Sequence, residues 1–292
     1  MYVQLLANTL VGAALYFTVA ASFYLVFTST KTFYLTHAAI ISGGAYFTFL
    51  FTDRLNFSLQ LSVPLAILGT LLLALFFELF IYRRMRAKKA LPLTCLLTSL
   101  GLYIVVINCI SLYFGDDGKI LKSGPVLVAN QILGAYLTTV QIIMVLTAVF
   151  VFVALHVLIQ HAHFGTLIRA VSTNPTLCDI YAVSADRIIA WCLIIGSALG
   201  AMSGILYGLN TNFGPRSGFD LLLYGIVAMI IGGVGGYRGL VFGSVLLSGA
   251  QQLTTFYIDK MWMDAVVYLI LIVFLVWRPR GFSGLQLRKV EI

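Results

Sequence analysis

Nine long apolar runs dominate the sequence and constrain its fold more than any other feature. They cover approximately residues 5–28, 33–52, 61–82, 92–114, 137–159, 188–209, 221–234, 240–258 and 265–277. An α-helix needs about 20 consecutive apolar residues to cross a bilayer, so most runs are long enough, while the seventh and ninth are short. The runs are continuously apolar, whereas the strands of a membrane barrel alternate. We therefore expect an all-α, polytopic membrane bundle of about eight to nine transmembrane segments.

The composition of the 292-residue chain excludes an ordinary soluble domain. Hydrophobic residues make up 61% of the chain and charged residues 10%, with a mean hydropathy of +1.01. Soluble domains are about 45–50% apolar and about 25% charged. Because most connections between the runs are short, we expect a single transmembrane domain over residues 1–292, without a soluble catalytic domain.

The distribution of basic residues predicts the orientation. Lys and Arg collect on the cytoplasmic side of membrane proteins, and the densest cluster lies at residues 83–89, after the third run. Placing this cluster inside and alternating nine crossings puts 13 of the 18 Lys and Arg inside. The N-terminus is then outside and the C-terminus is cytoplasmic. The net charge of +8 is an insertion signal, and no nucleic-acid partner is expected.

The loop at residues 164–187, on the predicted cytoplasmic side, carries the pattern of two short amphipathic helices. One apolar stripe has the spacing of a single helix face: Phe164, Leu167, Ile168 and Val171. Pro175 cannot continue that helix, but Asn174 as N-cap and Pro175 as first residue suit the start of another. A second stripe would share one face of that next helix: Leu177, Ile180 and Tyr181. The pair either lies on lipid or docks a cytoplasmic partner.

Glycines crowd residues 225–249, including the pairs Gly232-Gly233 and Gly235-Gly236. Small residues let membrane helices approach closely, and consecutive glycines weaken a helix. Broken helices at membrane depth often line transport pathways. The alternative is tight helix packing alone.

Few ionisable residues lie within the apolar runs. Glu78 is the main acidic one, and we expect it to pair with Arg83 or Arg84 near the inner membrane surface. His37 stands near the start of the second run. A lone histidine in this position is more often structural than a proton relay.

Taken together, these motifs resemble those of the permeases of branched-chain amino-acid ABC importers, a family that also includes urea and short-amide permeases. Four motifs in the family's order carry the resemblance: Thr36-His37-Ala38 with Gly44-Ala45-Tyr46; Phe164-Gly165, Arg169-Ala170-Val171 and Asn174-Pro175; Gly232-Gly233-Val234-Gly235-Gly236 with Gly239 and Gly243; and Arg278-Pro279-Arg280-Gly281-Phe282-Ser283-Gly284. The chain departs from the family pattern at Ala39, Gln251 and Phe282, among other positions, which leaves the solute open.

The resemblance implies the permease subunit of an importer in the bacterial inner membrane. Its partners would be two cytoplasmic ATPase subunits, a second related or identical permease and a periplasmic solute-binding protein. The chain has no phosphate-binding loop for ATP, so it would not be an enzyme and would need no cofactor or metal. The implied ATPase-coupling residues are Phe164, Leu167, Ile168, Arg169, Val171, Asn174 and Pro175. The implied pathway residues are His37, Gly44, Gly232, Gly233, Gly235 and Gly236.

Two rival functions remain open at this point. A self-sufficient secondary transporter would need its own ion-coupling site, for which Glu78 is the only visible acid in the runs. A membrane-embedded enzyme would rest on His156, His161 and His163, which resemble part of a histidine-box metal site. The chain has only four histidines, too few for a di-iron box, and no His-Glu-x-x-His motif.

Overall fold

The computed structural model describes residues 2–121, 129–132, 134–233, 235–278 and 281–282. Within these residues the chain is almost entirely helical, and each of the nine predicted runs contains a helix. The α-helices are α1 (Tyr2–Thr30), α2 (Thr36–Phe49), α3 (Leu59–Phe77), α4 (Arg83–Ala87), α5 (Pro92–Phe114), α6 (Thr139–His156), α7 (His163–Thr173), α8 (Pro175–Ile180), α9 (Ala185–Asn210), α10 (Ser217–Gly232), α11 (Tyr237–Tyr257) and α12 (Met263–Trp277). The predicted all-α class is confirmed.

Six helical stretches in the described part of the chain are long and apolar enough to cross a membrane: Tyr2–Thr30, Leu59–Ala87, Pro92–Phe114, Thr139–His161, Ala185–Asn210 and Lys260–Trp277. Helices α10 and α11 meet that condition only as a pair, which is bent by 116°. Helix α2 has 14 residues, and its extension carries Asp53 and Arg54. The sequence-based count of eight to nine exceeds these six or seven spans because it included α2, α10 and α11 separately. The exact count and the orientation stay predictions.

Three helices continue into π-helical turns. These turns cover Leu50–Arg54 after α2, Glu78–Tyr82 after α3 and Val157–His161 after α6. A π turn holds more residues than an α turn and frequently occurs at functional sites. It therefore changes which side chains face the neighbouring helix, and Glu78 lies in one such turn.

Helix α1 is the centre of the bundle. In its most apolar stretch 83% of the residues are buried, against 6% in the stretch that contains α12. It packs against α6, α9, α10 and α11. A helix that is apolar all round belongs in the interior of a bundle, whereas the apolar surface of α12 is left exposed.

Helices α2 and α9 cross with their backbones in contact. A Cβ on Gly44 would overlap the carbonyl oxygen of Ala201, and a Cβ on Gly204 would overlap that of Ile41. Small residues permit this approach, which gains dispersion energy where lipid offers no hydrophobic drive for association.

A short hairpin lies next to the N-terminus of α1. Strand β1 (Ala129–Ile132) pairs antiparallel with β2 (Ala135–Thr138), with Ala129 opposite Thr138. The Gln4 side chain donates to the Tyr136 carbonyl at 3.0 Å and accepts from its N–H at 2.8 Å. The hairpin is thereby fixed to the start of α1.

Ser42 of α2 caps the start of α10 from a different helix. Its hydroxyl donates to the Pro215 carbonyl at 2.8 Å and accepts from the Gly218 N–H at 3.1 Å. The first amides of a helix have no partner within that helix, and Ser42, Pro215 and Gly218 are all buried.

We expect Ser42→Ala to lower the melting temperature of the purified protein clearly. The substitution leaves two buried backbone groups unpaired, which costs about 1–3 kcal/mol. The matched control is Ser203→Ala, because Ser203 is equally buried but donates only to Gly200 of its own helix. Equal melting temperatures for the two variants in detergent would contradict the capping role.

Candidate functional site

Two short helices are present where the sequence predicts them in residues 164–187. Helix α7 ends at Thr173, and Asn174 leaves helical geometry with φ −156° and ψ 97°. The Asn174 side-chain oxygen accepts from the Leu177 N–H at 3.1 Å, and Pro175 is the first residue of α8. Asn174 therefore caps α8, as its sequence context indicates.

The apolar stripe of α7 faces the chain's own interior. Ile168 and Val171 are buried, and Phe164 and Leu167 are partly buried. They join an inner cluster with residues of α1, α3 and α9 that include Val26, Phe77, Ile188 and Cys192. The stripe thus anchors the helix pair to the bundle.

Close packing also fixes the start of α7. A Cβ on Gly165 would overlap the carbonyl oxygens of Leu158 and Ile159. These carbonyls belong to the π-helical end of α6. The helix pair is therefore held against both α6 and the inner cluster.

The outward surface of the pair lies on α8 and the turn after it. Ile180 is 77% exposed and Tyr181 is 78% exposed, and Leu177 is also exposed. These three residues, which we call the α8 patch, are the second stripe that the sequence places on one helix face. Arg169 is exposed as well, on α7.

An ion-paired group lies beside this element. The Arg86 guanidinium donates to both carboxylate oxygens of Glu78 and, through Nε, to Asp186 Oδ1 at 2.8 Å. Glu78 is buried. The expected pairing of Glu78 with Arg83 or Arg84 is wrong, because residues five and six positions further along a helix point away from Glu78. Arg86, two turns further and beyond the π-helical turn at Glu78–Tyr82, lies close to the face of Glu78.

Sequence reasoning missed the Arg86–Asp186 contact. Arg86 stood within a basic cluster that already had an explanation as an insertion signal. Asp186 is 100 residues away in the chain. No local pattern links the two residues, and only the packing of α3 against α9 brings them together.

The helical stretch that carries this ion pair is also hydrogen-bonded to α2, which in turn is hydrogen-bonded to α5. The Tyr82 hydroxyl is hydrogen-bonded to Thr36 Oγ1, which donates to the Ser99 carbonyl at 2.9 Å. The ring of Tyr34 lies on that of Tyr82, with centroids 4.3 Å apart.

The glycine block forms a sharp turn between α10 and α11. Gly232 ends α10, Gly233 has φ +93°, and Gly236 precedes α11. A Cβ on Gly239 would overlap the Gly232 carbonyl, and a Cβ on Gly243 would overlap that of Ala228. The two helices therefore fold back on each other in backbone contact. Gly235 lies in the turn, whereas Val234 lies outside the described residues.

The described part of the C-terminal motif packs on this turn. The Phe282 N–H donates to the Ile231 carbonyl at 3.0 Å, and the Gly281 N–H donates to Arg278. Gly281 has φ +64° and lies against Gly233. Two motifs that are distant in sequence thus meet at the end of α10. Pro279, Arg280, Ser283 and Gly284 lie outside the described residues.

His37 is buried at the crossing of α2 with α1 and α9. Its Nε2 lies 3.0 Å from Ser22 Oγ, and Gly200 packs against the ring. Because the Ser22 hydroxyl donates to the Val19 carbonyl at 2.7 Å, its oxygen is left to accept from Nε2–H. The structure thus places the predicted pathway residues at two helix crossings: His37 and Gly44 at α2–α9, and the glycines at α10–α11.

The remaining histidines do not converge on a metal site. His156 Nδ1 lies 2.5 Å from the Tyr237 hydroxyl, and the rings of His156 and His161 have centroids 5.4 Å apart. Within the described residues, no three His, Cys, Asp or Glu side chains could together hold a metal ion. His156 instead ties the end of α6 to the start of α11.

Two sizeable cavities of the chain are apolar. One of about 440 Å³ lies between α2, α3 and α5, and one of about 360 Å³ lies between α1, α6 and α11. A small cavity of about 20 Å³ has a mostly apolar lining that also includes the polar side chains of Thr36, His37, Tyr82 and Ser197. It has room for about one water molecule. None of these three cavities suits a polar solute of amino-acid size.

Comparison with known proteins supplies the wider context. Residues 5–276 match the family described as branched-chain amino acid transport system / permease component. LivH of Escherichia coli (strain K12), a high-affinity branched-chain amino acid transport system permease protein, is 25% identical over 97% of this chain and 96% of its own. The corresponding protein BraD of Pseudomonas aeruginosa is 24% identical with the same coverage.

A relative with a different solute matches part of the chain. NupB of Lactococcus lactis, a nucleoside ABC transporter permease protein, is 27% identical over 37% of this chain and 31% of its own. No solved structure matches the chain with statistical significance. Because the family match covers nearly the whole helical bundle, this chain belongs to the permease components of branched-chain amino acid transport systems.

Proposed function

We propose that the chain is the transmembrane subunit of an ATP-binding cassette importer in the bacterial inner membrane. Two cytoplasmic ATPase subunits drive it, a periplasmic binding protein delivers the solute, and a second related or identical permease completes the pathway. The solute is a branched-chain or related amino acid, with urea and short amides next. Support comes from the family match and from full-length relatives that are named for branched-chain amino acid transport.

The observation that carries the ATPase-driven part of this proposal is the α8 patch. Leu177, Ile180 and Tyr181 are exposed on a helix pair whose opposite face is anchored in the bundle. An ordered apolar surface of this kind suits a cleft in a partner protein. The ATPase contact is therefore assigned to the α8 patch, with Arg169 beside it, while Phe164, Leu167, Ile168 and Val171 hold the patch in position.

The secondary-transporter alternative loses its main candidate residue. An ion-coupled carrier needs an acid that can bind and release its ion inside the membrane. Glu78 is already paired through both oxygens with Arg86. An acid that is neutralised in this way is a structural group, which favours an external energy source.

The orientation follows from the same assignment. With α7 and α8 on the ATPase side, the basic cluster at residues 83–89 lies on that side as well, because Arg86 contacts Asp186 at the start of α9. We propose that α2, α10 and α11 also cross the membrane, with α10 and α11 as two separate crossings. The N-terminus is then outside and the C-terminus is cytoplasmic.

A polar solute path is proposed along the contact between two permease subunits. The two sizeable cavities described above are apolar, so they suit lipid tails better than an amino acid. The glycine turn between α10 and α11 would then act as a structural pivot of the moving helices, and His37 and Gly44 would maintain the α2–α9 contact.

We expect Ile180→Asp to weaken association with the ATPase subunits about a hundredfold or more and to abolish uptake. An unpaired charge in a buried interface costs several kcal/mol. Because Ile180 is exposed in the free chain, insertion and folding should be unaffected. The measurement is co-purification of the ATPases from membranes, with uptake measured in the same cells.

The matched control for that variant is Ile258→Asp. Ile258 is also exposed, but it follows α11, whose 21 residues carry it about 30 Å from the glycine turn. Ile258→Asp should keep the ATPases bound. Full ATPase recovery with Ile180→Asp would remove the α8 patch from the ATPase contact.

We expect Gly239→Ala to impair uptake strongly while the protein still inserts into the membrane. The added methyl group would overlap the Gly232 backbone and separate α10 from α11. Gly249→Ala on the same helix is the control, because its Cβ would meet only Thr9 Cγ2 at 3.7 Å. Uptake rates that are equal in the two variants would show that the α10–α11 contact has no role in transport.

A further inference from the structure

We propose that Arg86 is a positioning residue that ties the cytoplasmic helix pair to α3, so that movement of the pair reaches α2 and α5. The inference rests on the proposed function, because it concerns how an ATPase-driven movement spreads through the permease. It assigns a role to the contact between Arg86, Glu78 and Asp186.

Asp186 lies at the start of α9, close in sequence to the helix pair. It is the second residue of α9 and follows the end of α8 by six residues. Ala185, Ile188 and Ile189 of the same helix turn belong to the inner cluster that holds Ile168 and Val171 of α7. Asp186 therefore moves with the helix pair when the pair moves.

Glu78 holds the Arg86 side chain in place. Its guanidinium makes a two-pronged contact with the buried Glu78 carboxylate, eight residues earlier in the same helical stretch. Eight residues of an α-helix make about 2.2 turns, which would leave the two side chains offset by about a fifth of a turn. The π-helical turn at Glu78–Tyr82 contains more residues per turn and brings them nearer to one face. Arg86 is thus fixed to α3.

Arg86 makes one hydrogen bond more than is needed to pair with Glu78. The contact with Arg86 already neutralises the buried carboxylate. The Nε–H of Arg86 nevertheless spans to Asp186 on another helix at 2.8 Å. Asp186 is 52% exposed, and exposed ion pairs contribute little to stability. The value of this contact lies in the position it imposes on α9 relative to α3.

Further hydrogen bonds connect the helical stretch of Arg86 to α2 and α5. Tyr82 lies in the π-helical turn between Glu78 and Arg86 and is hydrogen-bonded to Thr36 at the start of α2. Thr36 also bonds to the Ser99 carbonyl of α5. A shift of the start of α9 is therefore transmitted through the Arg86 contact to the helical stretch that carries Tyr82, and from the Tyr82 hydroxyl to the inner ends of α2 and α5.

The test is the amount of solute transported per ATP hydrolysed by the complete importer in proteoliposomes. We expect Asp186→Asn to lower this ratio about fivefold or more while subunit assembly and ATP hydrolysis are retained. Asp186→Glu should restore the ratio, because it keeps the carboxylate charge that pairs with Arg86 and that the neutral Asn amide lacks. Arg187→Gln, an exposed neighbour on the same turn, should leave the ratio unchanged.

A second variant tests the onward route. Tyr82→Phe removes the hydroxyl bonded to Thr36 and should also lower the ratio. If both contacts lie on one route, the ratio of solute transported to ATP hydrolysed is no lower in the double variant than in the more impaired single variant. Independent, multiplying reductions would overturn the single route.

An unchanged ratio with Asp186→Asn would overturn the positioning role of Arg86 while leaving the ATP-driven function intact. Loss of assembly with Asp186→Asn would also overturn it, because the contact would then be purely structural. Absence of ATP-driven uptake by the unaltered importer would contradict the proposed function and the inference with it.

Discussion

Backbone contact between helices at small residues is the constraint on which the rest of this structure depends. Lipid tails are as apolar as the helix surfaces, so helices associate through close packing and polar contacts instead of hydrophobic exclusion. Gly44 and Gly204 bring α2 onto α9, and Gly232 and Gly239 bring α10 onto α11. With these two crossings in place, α1 is enclosed by its neighbours. The polar side chains are then aligned with partners on other helices.

The few polar contacts inside the bundle join elements that are far apart in sequence. Ser42 caps α10 from α2, and Arg86 connects α3 with α9. His156 joins α6 to α11. An unpaired polar group is costly in a membrane, so the contacts of Ser42 and His156 fix relative positions strongly. The half-exposed Arg86–Asp186 pair adds little stability and acts through the position it imposes. In a transporter, a small number of such contacts can determine which helices move together.

Much of the helical content could be predicted from sequence because apolar runs and a helix-starting Asn-Pro pair are local signals. The start of α8 at Pro175, with Asn174 as its cap, is an example. The direction of the α7 stripe could not be predicted, because periodicity identifies an apolar face without identifying what covers it. Ile168 and Val171 meet the chain's own α9. The Glu78 partner was missed because Arg86 lies about two helical turns further along the chain, and the π-helical turn that helps to align the two side chains leaves no sequence signature. The two span counts differ because the apolar runs count α2, α10 and α11 as separate crossings, whereas helix length and composition admit α10 and α11 only as a bent pair.

The central claim is that this chain forms a path across the membrane but takes its energy from other subunits. The most direct test is leucine uptake into proteoliposomes that contain the purified chain, with and without its ATPase, permease and binding-protein partners. The account predicts no ATP hydrolysis and no accumulation by the chain alone, since it lacks a phosphate-binding loop. With the partners present, accumulation should depend on ATP. ATP turnover by the chain alone, or accumulation driven by an ion gradient without the ATPases, would contradict the account.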